Sequence, residues 1–138
     1  MSLTATARSL PGTLRTDIVV DGRFHLVTDE PEVLGGDGSA PAPHELFPAA
    51  LASCVSTTLV MYARTKEWDL GEVEVDVDYD HLSTPRRFEI AIKLGGDLSA
   101  DQLRRLEKVA AACPVRRAIE SGVVFEEKLE ASGLVVAG

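Results

Sequence analysis

At 138 residues and 45% hydrophobic content the chain is long enough for one domain with its own core and short for two, so a single domain over residues 1–138 is expected. Its 22 acidic residues against 14 Lys plus Arg leave a formal charge of -8, which repels phosphate backbones and anionic lipid and argues against nucleic-acid or membrane-surface partners. The segment from Met1 to Leu10 lacks the basic stretch and apolar run of a secretory signal, so the expected compartment is the cytosol. There, two cysteines do not make a structural disulfide framework, and the thiols are either inert core residues or chemically active.

Apolar and polar residues alternate first around Leu14, Thr16, Ile18 and Val20, with Arg15 and Asp17 on the other side, which predicts a strand. Asp21-Gly22 turns the chain into Arg23 to Thr28 and predicts a β-hairpin. Pro31 to Pro43, with the run Gly35-Gly36-Asp37-Gly38-Ser39 and three prolines, reads as a loop. A long helix follows from about Glu45 to about Lys66, uncharged from Leu46 to Ala63 and apolar or small on nearly every face, as a helix surrounded by core would be. Its length approaches that of a membrane span, but Pro48, Ser53, Ser56, Thr57 and Thr58 make it too polar for lipid, and Pro48 predicts a kink or a late start.

Val73, Val75, Val77 and Tyr79 alternate with Glu72, Glu74, Asp76, Asp78 and Asp80, a strand with one wet acidic face. Phe88, Ile90, Ile92 and Leu94 form a second strand beside it. Ser99 with Gln102 makes a capping box, and a helix begins there whose apolar stripe is Leu103, Leu106, Ala110 and Cys113. Pro114 disfavours helical geometry at Cys113, so a second, short helix starts with Pro114 at its first position and ends at Gly122. Val123 to Leu129 is read as a last strand. The expected class is α+β with a mainly antiparallel sheet.

The chemistry centres on the cysteines, because thiolates are strong nucleophiles whose surroundings decide whether they act. Cys54 lies mid-helix among Ala50, Leu51, Ala52 and Val55, where the plain alternative is an ordinary buried thiol. Activation there needs a cation, and Arg8, Arg15 and Arg23 are the candidates from the N-terminal strands. Cys113 sits before a helix whose unpaired N–H groups would favour its thiolate; its alternative is a core thiol on the Leu103–Leu106 stripe. The two are far apart in sequence and form no CxxC motif, so any disulfide depends on the fold. Glu45 is either a partner for an incoming arginine or a first-turn carboxylate complementing the helix dipole. His25, His44 and His81 show no metal-ligand spacing, so a metal site is not supported.

The run Pro41–Cys54, which reads PAPHELFPAALASC behind the glycine-rich loop, resembles the "ELxxAALxxC" entry and helix of the OsmC/Ohr family. The run Cys113–Ile119, CPVRRAI, is similar to that family's second-cysteine segment "CPVSxA", and the order of elements matches over nearly the whole chain. The resemblance implies an intertwined homodimer with buried central helices. It implies reduction of organic hydroperoxides by a peroxidatic Cys54 and a resolving Cys113 with no metal or organic cofactor, re-reduction by a cellular dithiol, and an arginine held by a carboxylate beside the thiol. Arg15 and Glu45 are the favoured pair, although the family's carboxylate stands ten residues before the cysteine, where this chain has His44, and its serine after CPV is Arg116. A non-catalytic stress protein holding an apolar ligand at the dimer interface is the competing expectation.

Overall fold

The computed structural model describes residues 2–131 and 133–137. Its elements run β1 (Ala5–Ser9), β2 (Thr16–Val20), β3 (Phe24–Thr28), α1 (Leu46–Lys66), β4 (Val73–Asp80), β5 (Arg87–Leu94), α2 (Ala100–Ala111), α3 (Pro114–Ser121), β6 (Lys128–Ala131) and β7 (Leu134–Ala137). Short 3-10 turns at Glu32–Leu34 and Pro43–Glu45 break up the glycine- and proline-rich loop. This is the α+β arrangement with antiparallel pairing, in a long-helix protein, that the periodicities predict. The described chain divides into two compact units: Met1–Ala52 with Asp76–Ala91, and Ser53–Val75 with Ile92–Gly138.

In the first unit β1, β2 and β3 form an antiparallel meander in that order, with Arg8 opposite Asp17 and Ile18 opposite Leu26. The β2–β3 turn is made as expected, by Asp21 at φ 54 and Gly22 at φ 68, and Arg23 N–H closes it on the Val20 carbonyl at 3.1 Å. Two successive left-handed residues match the twist of the flanking strands, which is why Asp-Gly is a strong hairpin signal. Strand β1 is an addition to the sequence reading. All five of its residues are exposed, so no in-out alternation marks it, and backbone pairing with β2 holds it in place.

Helix α1 begins at Leu46, so Pro48 falls within the first turn, where its missing N–H has no intrahelical acceptor to lose. By length and composition the stretch Pro43–Lys66 could cross a membrane. Instead it buries a stripe of Leu51, Val55, Leu59 and Ala63, spaced four apart as one face of a helix requires. Ala50, Ser53, Thr57 and Met61 on the other side are exposed.

In the second unit α2 packs with the later turns of α1, and Arg105 Nε donates to Tyr62 Oη at 2.9 Å. The capping box is formed in both directions: Gln102 N–H donates to Ser99 Oγ at 3.1 Å and Ser99 N–H to Gln102 Oε1 at 2.8 Å. Leu106, Ala110 and Cys113 of the expected stripe are buried, whereas Leu103 is 47% exposed. Cys113 has extended geometry (φ -62, ψ 141) and α3 starts at Pro114, as the proline dictates. Strands β4 and β5 pair with each other, and their short connection makes the pair antiparallel.

The last predicted strand needs correction. Residues 123–127 have no regular structure, Phe125 is 80% exposed, and the strand begins at Lys128. It forms a hairpin with β7, pairing Lys128 with Ala137 and Ala131 with Leu134. Val123, Val124 and Phe125 favour extended backbone, but a strand also needs a hydrogen-bonding partner, which the described chain does not offer them.

Candidate active site

Both cysteines belong to the second unit, and the Cys54 thiol is near enough to Cys113 to act on its ionisation. Cys54 stands on α1 one residue before the buried Val55 and is half-buried. Cys113 is 0% exposed at the N-cap of α3, and its Sγ accepts the Arg116 N–H at 3.4 Å. Helix α2 carries Cys113 inward on the same face as Leu106 and Ala110, and the break before Pro114 turns its side chain to the start of the next helix.

The electrostatics differ from the expectation of a helix-stabilised thiolate at Cys113. Burial pushes the Cys113 thiol up from its ordinary value of 9.0, and the adjacent Cys54 thiol pushes it further. The N–H groups of Arg116 and Val115 act in the opposite sense and are outweighed. Cys113 is therefore held as a neutral thiol, with its proton retained until something drives it off.

The first unit holds the other expected residues. Of the three arginines, Arg23 pairs with Asp21 at 3.3 Å and lies 4.5 Å over the Phe24 ring, and Arg8 stands opposite Asp17 in the meander. Arg15 is different: it reaches back onto the glycine-rich loop, donating from Nη1 to Ser39 Oγ at 3.2 Å. Glu45 accepts the Ala42 N–H at 2.9 Å and so closes the turn that leads into α1. Among the described ion pairs none joins Arg15 to Glu45. His44 and His81, distant in sequence, meet with ring centroids 4.9 Å apart, and both join an aromatic group with Phe47, Tyr79 and Phe88 in which Tyr79 stacks on Phe88 at 4.4 Å.

Sequence reasoning missed Asp29. It lies at the end of β3, 1% exposed, and its carboxylate accepts N–H bonds from Glu30 (2.8 Å), Asp37 (3.3 Å) and Ser39 (3.0 Å) and the Ser39 hydroxyl at 2.7 Å. The Ser39 hydroxyl first, then the Ser39 and Glu30 N–H groups, lower its pKa from 3.8 to about 2. Gly36 is required here, since a Cβ would collide with the Glu30 carbonyl and crowd Asp29 Oδ1. An aspartate just ahead of a loop rich in glycine N–H donors was the available signal.

Comparison with known proteins gives these positions a family context. The family model for OsmC-like protein matches residues 36–128. A Psychrobacter arcticus 273-4 protein, described as one of osmotic stress induction and detoxification response, is 29% identical, with a TM-score of 0.72 over 86% of this chain and 88% of that one. An OsmC-like protein from Mycoplasma pneumoniae is 16% identical with a TM-score of 0.72, covering 87% of this chain and 88% of its own. The organic hydroperoxide resistance protein OhrB of Bacillus subtilis is 23% identical with a TM-score of 0.56, covering 88% of this chain and 93% of its own. The last two establish likeness of fold alone. No curated protein matches the chain.

Proposed function

This chain belongs to the OsmC-like protein family, and from that premise we propose that it is a thiol peroxidase that reduces organic hydroperoxides to alcohols. The observation that supports the proposal is that both cysteines, remote in sequence, fall in one compact unit, with the Cys54 thiol among the groups that raise the Cys113 pKa. The substrate class is proposed by analogy with the name of the Bacillus subtilis neighbour, an organic hydroperoxide resistance protein.

In the proposed reaction the Cys54 thiolate attacks the terminal oxygen of the hydroperoxide. The O–O bond breaks, the electron pair leaves with the alkoxide, and that alkoxide takes a proton to become the alcohol, leaving a sulfenic acid on Cys54. Cys113 then loses its proton and attacks the Cys54 sulfur, releasing water and forming a disulfide that a cellular dithiol reduces by exchange. Arg15 is the proposed cation, favouring the Cys54 thiolate and the polarised peroxide, and it is the N-terminal arginine without a carboxylate partner among the described ion pairs beyond the exposed Arg8. Glu45 is proposed to act from the turn that it closes ahead of α1.

A homodimer is part of the same proposal, supported by the uncharged outer face of α1, where Met61 is 62% exposed. A native mass of twice the 14.8 kDa chain is expected in solution, and a monomer at micromolar concentration would refute it.

One observation favours a second reading, a ligand carrier without turnover. A half-open cleft of about 220 Å³ in the second unit is lined by Leu59, Ile92, Leu94, Leu103 and Leu106, with Glu107 as its polar member. A cavity of that order suits a small apolar molecule. Treatment with one equivalent of cumene hydroperoxide separates the two readings: a peroxidase loses two hydrogens in intact mass and gains a Cys54–Cys113 disulfide. Thiols that emerge unmodified would leave only the carrier.

A further inference from the structure

The glycine-rich loop is not merely a connection, because its backbone wraps one buried carboxylate. Asp29 N–H donates to the Pro41 carbonyl at 3.1 Å, Gly36 N–H to Pro31 at 3.1 Å and Gly38 N–H to Glu30 at 3.0 Å. These bonds draw the loop around Asp29 and present Ser39 to it through both its N–H and its hydroxyl. On its other side the same hydroxyl receives the Arg15 guanidinium.

We propose that Asp29 and Ser39 are positioning residues for Arg15, the buried carboxylate fixing the direction of the Ser39 hydroxyl so that its lone pair holds the guanidinium against the loop. The proposal rests on the reading of Arg15 as the cation that serves the reactive thiol. Its physical basis is the inventory of donors and acceptors. An ionised carboxylate has no proton to give, so the Ser39 hydroxyl spends its single proton on Asp29 and can only accept from Arg15. A neutral amide at position 29 could donate as well as accept, and the hydroxyl would then be free to turn. The depressed pKa of Asp29 keeps it ionised throughout the physiological range, so the constraint does not relax there. The charges are also ordered: negative carboxylate, hydroxyl, positive guanidinium, each bond polarising the next.

A structural role alone would be served by the three N–H bonds to Asp29 and would not need the hydroxyl. Ser39→Ala is therefore the informative substitution, since it leaves those N–H bonds in place, whereas Asp29→Asn perturbs the whole loop and risks misfolding. The readout is the pH midpoint of Cys54 alkylation by iodoacetamide, located by peptide mass, in wild type, Arg15→Ala, Ser39→Ala and Ser39→Thr, with thermal melting confirming that each is folded. Arg15→Ala is expected to move the midpoint to higher pH. Ser39→Ala should move it the same way by at least half as much, and Ser39→Thr should restore it. A Ser39→Ala midpoint equal to wild type beside a shifted Arg15→Ala, or a Ser39→Thr midpoint as displaced as that of Ser39→Ala, overturns the positioning role. An Arg15→Ala midpoint equal to wild type overturns it as well, and identifies the assignment of Arg15 as the failing step.

Discussion

Cys54→Ser is expected to reduce hydroperoxide consumption by at least about 1000-fold, to the scale of background that remains when an enzyme loses its nucleophile. The exchange replaces one atom by a smaller one at a half-buried position, so the helix should keep its Leu51, Val55 and Leu59 packing, and a melt close to wild type is the control. The chemistry does not survive the exchange, because a serine hydroxyl is a weak nucleophile at neutral pH while a thiol already has a few per cent of thiolate near pH 7. The variant also lacks the sulfur that must carry the oxygen as a sulfenic acid. Peroxide consumption is followed with cumene hydroperoxide and a dithiol at fixed pH. A Cys54→Ser protein as active as wild type would eliminate the peroxidase proposal.

Cys113→Ser should leave the first oxidation intact and block everything after it. With one equivalent of peroxide and no added thiol, wild type is expected to form the internal disulfide and give no dimedone adduct. The variant should consume its equivalent, stop, and carry dimedone on Cys54, since the sulfenic acid has no neighbouring sulfur to condense with. An unlabelled variant, or a wild type that accumulates the adduct in place of the disulfide, would show that Cys113 is not the resolving residue. The raised pKa adds a kinetic signature. Burial first, and the Cys54 thiol next, keep Cys113 protonated, so disulfide formation in wild type should accelerate as pH rises toward and beyond 9.0. Stability should follow the opposite course. Above 9.0 the unfolded chain releases the Cys113 proton while the folded chain holds it, so the folded state loses ground as pH increases, and urea midpoints at pH 8 and pH 10 measure the difference.

Residues a few positions apart decided most of the local structure. Asp21-Gly22 set the β2–β3 hairpin, Ser99 and Gln102 the start of α2, and Pro114 the break after Cys113, because each acts through backbone dihedrals or bonds within one turn. The period-two patterns of β4 and β5 were legible for the same reason, as their burial alternates residue by residue. Strand β1 was not legible, since its exposed side chains carry no pattern, and residues 123–127 misled because strand propensity without a partner makes no ladder.

The candidate chemistry divides along the same line. Both cysteines could be named from their residue type and from the segments around them. Whether they approach was beyond the sequence, because the nearness of a mid-helix thiol to an N-cap thiol follows from how α1, α2 and α3 pack. The raised Cys113 pKa has the same origin. Local reasoning counted the helix N–H groups but could not weigh them against burial, and burial is the larger effect. Asp29 reads in sequence as one acidic residue among many, and it became the centre of the loop only when folding brought Ser39, and with it Arg15, to its carboxylate. The sequence by itself determined the turns, the caps and the helix break, all of which depend on near neighbours, and it singled out the two candidate thiols. Tertiary structure alone decided how near those thiols come and how readily Cys113 ionises, since proximity and desolvation come from residues the chain keeps far apart until it folds.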